Sequence, residues 1–450
     1  MNLPQNLHFI GIGGAGMNPL ARICLQSNCK VSGSDKNEIN NIKELSALGA
    51  NLWISHNVEK LKQIELPDVC VISTAIEKNN PELIYLQSQN VKIWHRSDLL
   101  QCIANNFKYQ IVISGTHGKT TTTALTAWLF ENLGLNPSWL IGGEIKGLDS
   151  SALKKNSEIF IFEGDESDQS FLKTNPSHGI ITYIEPDHLE NYENSFDIQI
   201  SKFKEFAKKA NFLLYNGNCP NVKKIVNDLK HNNSFDYMQN ADELIKNIEI
   251  PNLKGKHNCY NALIGITLAE SFGANKHNCL NILKDFNGVK RRFEHIFTSS
   301  KNIKIYDDYG HHPTEIEVAI NCAKDLLKKE NSNGRLVVLF QPHLPTRLRD
   351  LWENFKNCFK GADILYIADL YLARGQHLEN INSMRLVNEM NHEKPEERVE
   401  YCGNDFSEIV KTILQSLKQN DLLLILGAGD ITKIGKLFKE NLSLNTITIG

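Results

Sequence analysis

Two short stretches constrain this chain more than any other feature. HFIGIGGAGM, residues 8–17, and ISGTHGKTTTT, residues 113–123, each run from an apolar strand-like segment through glycines into a helix-like one. A strand that feeds a glycine turn and then a helix leaves backbone N–H groups free at the helix start, where phosphate binds. The chain is thus expected to carry two phosphate cradles, on two different sheets.

The remaining pattern suits that reading. Apolar runs of strand length alternate with helix-period stretches, which predicts an α/β fold with mostly parallel sheets. At 450 residues the chain is too long for one ordinary core, and three domains are expected. Residues 1–106 form a Rossmann-like domain with strands near LHFIGI, CKVSGSD and DVCVIST. Residues 107–293 form a central phosphate-loop α/β domain. Its strands are YQIVISG, EIFIFEG and HGIITYI, and its helices are TTTALTAWLFENLG, expected to be amphipathic, and FDIQISKFKEFAKK. Residues 294–450 form a C-terminal Rossmann-like domain with strands KIYDD, RLVVLFQ, ADILYIAD and DLLLILGAG.

Composition sets aside several classes. A net charge of −3 offers no basic field for nucleic acid. The mean hydropathy of −0.32 argues against a membrane protein, and no apolar run approaches the roughly 20 residues of a spanning helix. MNLPQNLHFI lacks a basic n-region, so no secretory leader and a cytoplasmic location are expected. The ten cysteines form no C-x-x-C pair. They are expected to be small buried hydrophobes in a reducing compartment, not a zinc or redox centre.

In the first loop Gly11 allows the tight turn, Gly13 lets the backbone approach a pyrophosphate, and Gly16 lets helix and strand pack closely. Asp35, closing SGSD, lies near the roughly 20-residue offset of a ribose-binding acid. Taken alone, this context points to NAD. The second loop keeps the G-K-T core of a phosphate loop, with Ile113 where the usual pattern has its first glycine. Lys119 would reach the β- and γ-phosphates and Thr120 would hold Mg²⁺. FIFEGDESD supplies Glu163, Asp165, Glu166 and Asp168 after a strand. Glu163, at the strand's end, is the expected metal ligand, and some of the other acids are expected to be solvated. Asp187 and His188 in YIEPDHLENY could complete a metal site.

Nine stretches, in order and from end to end, resemble the Mur ligases of peptidoglycan synthesis, in particular their alanine-adding branch. They are HFIGIGGAGM, SGTHGKTTTT, FEGDESDQSFL, EPDHLENY, GKHNCYNAL, GVKRRFE, DDYGHHPTEI, FQPHLPTR and LILGAGDI. The resemblance implies an amide-bond ligase that joins UDP-N-acetylmuramate to L-alanine through an acyl phosphate, with ATP cleaved to ADP and phosphate in the presence of Mg²⁺. It gives the two loops to two substrates. UDP-sugar contacts would be Gly11, Gly13, Gly14, Ala15, Gly16, Met17, Ser34, Asp35, Ser73 and Arg96. ATP contacts would be Gly115, Thr116, His117, Gly118, Lys119, Thr120, Thr121, Asn261, Arg292 and Asp308, with Asp307 an open alternative to Asp308. Asn261 sits early in a helix, where capping is the other role, and His257 matches the histidine before it. Lys119, His188 and Arg292 would be catalytic, and Thr120, Glu163 and His188 would hold metal. Tyr309, His311, His343 and Arg347, with His312 nearby, would line the amino-acid pocket, an arginine fork suiting a carboxylate. The third domain is expected to close over the ATP domain and exclude water. The partners implied are small molecules, with no nucleic acid and no membrane insertion, for a monomer or homodimer.

The chain also departs from the family. Leu344 and Pro345 stand where arginine and tyrosine are usual, Glu190 ends D-H-L-E, and Tyr183 replaces an asparagine. Lys202 is in about the region where some relatives carry a carbamoylated lysine. Three alternatives stay open: a ligase that adds a ready-made tripeptide to the same sugar nucleotide, an NAD-dependent oxidoreductase, and an inactive nucleotide-binding protein.

Overall fold

The first apolar run forms strand β1 (Asn6–Ile10), in which Leu7, Phe9 and Ile10 have no exposed surface. Burial on both faces is the signature of a parallel strand covered by helices. Four further strands join it: β2 (Lys30–Asp35), β3 (Asn51–Ile54), β4 (Val69–Ile72) and β5 (Lys92–His95), in the all-parallel order β3-β2-β1-β4-β5. The order reverses between β1 and β4, so a crevice opens beyond the carboxyl end of β1. The computed structural model describes residues 3–36, 40–148, 150–330, 332–373 and 376–444.

The second sheet contains β6 (Tyr109–Ser114), β7 (Ser138–Leu140), β8 (Ala152–Leu153), β9 (Ile159–Glu163), β10 (His178–Ile181), β11 (Phe212–Tyr215) and β12 (Ser234–Asp236). Their order is β12-β11-β10-β6-β9-β7-β8, parallel except at β8. The helix after β6, Lys119–Asn132, is not amphipathic as expected but buried from Thr120 to Phe130. It is covered on a second side: Trp128 Nε1 donates to the Ile282 carbonyl at 3.1 Å, and a side chain at Gly265 would meet Leu129 at 3.0 Å. Two of its buried threonines, Thr123 and Thr126, donate to carbonyls one turn back, each at 2.8 Å. The helix Phe196–Lys209 forms as expected, capped by Ser195, with Asp197 in its first turn and Lys208 and Lys209 in its last.

The third sheet holds β13 (Glu294–Thr298), β14 (Lys304–Asp308), β15 (Leu336–Phe340), β16 (Ile364–Ala368), β17 (Val399–Gly403) and β18 (Leu422–Leu426). Its order is β13-β14-β18-β15-β16-β17, and only β13 is antiparallel. The near-continuous apolar runs LVVLF and LLLIL are buried throughout, with a core on each face.

Packing divides the chain into two compact units. One holds the residues up to Ile250 with His257–Phe286; the other holds Pro251–Lys256 and the residues from Asn287 on. Near residue 106, where a domain border was expected, one core runs on from Leu7, Phe9 and Leu99 to Phe107, Val112 and Phe160. Among the described residues no helix is long and apolar enough to cross a membrane. All ten cysteines are free, and all but Cys259 and Cys402 are buried.

Candidate active site

The first loop leaves β1 at Gly11, whose φ of +78° suits glycine. Gly11 and Ile12 donate their N–H groups to the Ser34 carbonyl at 2.8 and 3.1 Å. Gly14 and Ala15 are exposed at the tip, while Met17 is buried under it. Asp35 is 9% exposed and accepts from Gly13 N at 2.9 Å. The acid that suggested NAD is thus turned onto the loop's own backbone. Ser34 is fully buried and its hydroxyl lies against His56 and Glu82. Glu82, which the sequence did not mark, also accepts from Trp53 Nε1 and Asn57 N at 2.8 Å each. Burial would raise its pKa, but hydrogen bonds from His8, Ser34 and Trp53 hold it down to about 2. Ser73 lies beyond the end of β4, and Ile76 of the same turn approaches Gly11. Arg96 starts the helix that follows β5.

The second loop follows β6. Gly115 has φ +134°, and a Cβ there would stand 2.2 Å from Thr182 Oγ1 and 2.9 Å from Tyr183 N, so no side chain fits. Thr116 N donates to the Tyr183 carbonyl at 2.9 Å. Gly118, φ +81°, caps the helix that opens with Lys119. Lys119 Nζ reaches the Gly115 carbonyl at 2.5 Å and Glu166 Oε1 at 2.8 Å. Burial opposes its charge, but Glu166, Asp165 and Glu163 outweigh burial and raise its pKa. Thr120 Oγ1 donates to Glu163 Oε2 at 3.2 Å, and Gly142 N donates to Glu163 Oε1 at 2.6 Å. The Thr120 and Glu163 oxygens lie together because β6 and β9 are adjacent and parallel. Thr121 is buried in the helix's first turn.

The acids after Glu163 are paired with cations, and of them Asp165 keeps a third of its side chain exposed. Glu166 is 2% exposed, and burial raises its pKa against the pull of Lys119. Burial would also raise Asp165, but Arg96 and Lys119 hold it down to about 2. His117 Nε2 pairs with the carboxylate of Glu185, another residue without a sequence signal. His188, φ +51°, faces Glu190 Oε1 at 3.4 Å and Asp187 Oδ2 at 3.8 Å. Lys202 pairs with Glu205 at 3.7 Å. Asn261 lies against Gly118, its Oδ1 3.1 Å from where a Cβ would be, and its amide donates to Asn258 Oδ1 at 3.1 Å. Asn258, buried and one turn earlier, was not singled out from the sequence.

In the second unit, strand alternation separates Asp307 from Asp308. Asp307 is 2% exposed; it accepts from Thr432 Oγ1 at 2.5 Å and faces Arg291. Asp308, at the strand end, accepts from Phe293 N and Gly310 N at 2.7 Å each. Burial pushes its pKa up to about 6 despite Arg292. Arg291 and Arg292 lie over the Tyr309 ring at 4.8 and 5.1 Å. An aromatic row continues from Tyr309 to His311, His343 and Tyr371, with centroids 5.2, 5.8 and 5.7 Å apart. Tyr371 too lacks a sequence signal. His312 caps the helix Pro313–Lys329 in a box with Glu315. Arg347 is 6% exposed. Leu344 takes φ +68°, rare for a leucine, and donates N–H to the Tyr371 carbonyl at 3.1 Å.

Comparison with known proteins covers most of the chain. Residues 6–108 match the Mur ligase family, catalytic domain; residues 113–269 the Mur ligase middle domain; residues 291–429 the Mur ligase, glutamate ligase domain. The UDP-N-acetylmuramate–L-alanine ligase of Clostridium novyi (strain NT) is 37% identical over 97% of each chain. The crystal structure of a UDP-N-acetylmuramate–alanine ligase from Thermotoga maritima is similar with a TM-score of 0.79 at 25% identity, over 98% of this chain and 99% of that one. A murein peptide ligase from Psychrobacter arcticus 273-4 shares the fold, with a TM-score of 0.68 at 20% identity over 97% and 98%.

Proposed function

The chain belongs to the Mur ligase family, and from that premise we infer that it joins UDP-N-acetylmuramate to L-alanine at the expense of ATP, in the cytoplasm. The observation that carries the reading is the 37% identity to an alanine-adding ligase over 97% of both chains. The site chemistry supports it. A carboxylate is a poor acyl donor, so its oxygen first attacks the ATP γ-phosphorus, the bond to the β,γ-bridging oxygen breaks, and an acyl phosphate and ADP result. The alanine amine then attacks the carbonyl carbon and phosphate leaves. The first step brings anions together and needs fixed cations around the γ-phosphate. In this reading the first sheet takes the sugar nucleotide at the exposed tip of its glycine loop, around Gly14, Ala15 and Gly16, and Lys119 stands at the ATP phosphates. Asn261, beside Gly118, contacts the nucleotide. The third sheet takes the amino acid through Tyr309, His311, His343 and Arg347. The Thr120 hydroxyl and Glu163 carboxylate are hard oxygen donors 3.2 Å apart, a set that fits Mg²⁺. Bound there, the ion neutralises phosphate charge.

Phosphate release with ATP, Mg²⁺ and UDP-N-acetylmuramate tests this across single amino acids and the tripeptide. Release that requires both the sugar nucleotide and L-alanine is the expected result. Release with the tripeptide alone moves the chain to the peptide-adding branch, and no release in any combination sinks the ligase reading.

A further inference from the structure

Arg96 begins the helix Arg96–Ala104 at the carboxyl edge of the first sheet, and its guanidinium is already engaged. Nε donates to Asp168 Oδ2 at 3.0 Å and Nη2 donates to Asp165 Oδ2 at 2.7 Å. Nη2 also lies 2.6 Å from Asp168 Oδ2. On the other side, Nη1 lies 2.4 Å from where a Cβ on Gly16 would stand. Gly16 is therefore the glycine of the first loop that lets the guanidinium past.

The turn that grips Arg96 also holds the second cradle. Between Asp165 and Asp168 sits Glu166, 2.8 Å from Lys119 Nζ. The turn's own hydrogen bonds fix the other acid oxygens. Ser167 N and Oγ donate to Asp165 Oδ1 at 3.0 and 2.7 Å, and Ser170 N donates to Asp168 Oδ1 at 3.0 Å. That leaves the two Oδ2 atoms aimed at one guanidinium. Three carboxylates in four residues repel one another unless cations hold them, and a planar fork can bind two where an ammonium is a single point charge. Four residues thus hold one cation from the first sheet and one from the second loop.

We propose that Arg96 is a positioning residue for the ATP cradle: by clamping Asp165 and Asp168 it sets the turn whose Glu166 aims Lys119, and it does not itself bind the sugar nucleotide. The proposal rests on the reading of Lys119 as a phosphate contact. Displacing such a group by about an ångström costs on the order of a hundredfold in rate.

The test uses the full-length enzyme and the variants Arg96→Lys, Asp168→Asn and their combination. Binding of a non-hydrolysable ATP analogue with Mg²⁺ and binding of UDP-N-acetylmuramate are measured separately by calorimetry. Arg96→Lys is expected to weaken the analogue about tenfold, the size of a lost charged hydrogen bond, and to raise KM for ATP by a similar factor. Sugar-nucleotide affinity is expected to stay within about twofold, the scale of additive noise. Asp168→Asn should do the same, and the double variant should be no worse than either single one. Weaker sugar-nucleotide binding with unchanged analogue binding would make Arg96 a direct ligand and overturn the proposal. A lower Tm with both affinities unchanged would make the clamp merely structural and overturn it as well. A wild-type enzyme that binds neither ligand would overturn the ligase reading first, an outcome visible before any variant is made.

Discussion

After β1 the glycine loop presents backbone, and its nearby acid, Asp35, accepts from the loop's own Gly13 N–H. After β6 the loop carries Lys119, with Glu166 at 2.8 Å, and places Thr120 at 3.2 Å from Glu163. The same strand–turn–helix device is thus built twice with different charge. A cradle that only binds a diphosphate can rely on N–H dipoles. A cradle where two anions must meet needs fixed charge aimed at the transition state. The order strand, turn, helix does not distinguish the two; the strand ends beside each loop do.

Removing the charge should break that contrast most. Lys119→Met is expected to lower kcat/KM for phosphate release by about a thousandfold, as loss of a preorganised transition-state contact does, with sugar-nucleotide affinity unchanged in calorimetry. An equal loss of sugar-nucleotide binding would mean that the cradles are not separate. Glu163→Gln is expected to cost about a hundredfold. Raising Mg²⁺ should recover part of the rate, and a titration indifferent to Mg²⁺ would remove Glu163 from the metal site.

Glycine substitutions sharpen the comparison on the stability side. At Gly115 a Cβ would sit 2.2 Å from Thr182 Oγ1 at φ +134°, whereas at Gly14 the nearest atom, the Gly11 carbonyl oxygen, is 3.3 Å away. Gly115→Ala should lose about 2 kcal/mol or more in urea unfolding, the size of a strained backbone site. Gly14→Ala should lie within about 0.5 kcal/mol of wild type, as surface changes do. Equal losses would show that the second loop is no more tightly pinned than the first.

The smallest expected effect is on pH dependence. Glu82, under the first loop, is held down to about 2 from an ordinary 4.5. Because the folded state favours the carboxylate, its contribution is complete above the ordinary value and lost as pH falls towards 2. Glu82→Gln should flatten the acid limb of stability across that window in urea melts at stepped pH. An unchanged limb would mean that the buried cluster of His8, Ser34 and Trp53 does not hold the charge.

The candidate site was legible where a residue's spacing states its job. Lys119 and Thr120 follow a glycine turn, and Glu163 closes an apolar strand, so three chemically distinct residues could be placed together before any fold was known. Asp35 misled because its offset fits a ribose ligand equally well, and only its bond to Gly13 N reveals its engagement. Glu82, Asn258, Glu185 and Tyr371 carry no spacing signal. Each matters through a neighbour distant in sequence or on the next helical turn. Asp307 and Asp308 are equivalent as letters and opposite as positions, since a strand's period of two sends one inward to Thr432 and leaves the other at the edge.

By itself the sequence determined the class of the fold, because apolar runs long enough for strands alternate with helical periods and the glycine loops demand parallel sheets with helix crossovers. It also foretold that Thr120 and Glu163 lie together, because each stands at or beyond the carboxyl end of a strand and the two strands are neighbours. Tertiary structure alone decided that the first two sheets share one core, that the helix after Lys119 is buried on every side, and that the acids after Glu163 are clamped by Arg96 and Lys119. Those outcomes depend on which surfaces meet. A local pattern records what a residue can do, and only its distant neighbours, Arg96 for Asp165 and Asp168 above all, set what it does.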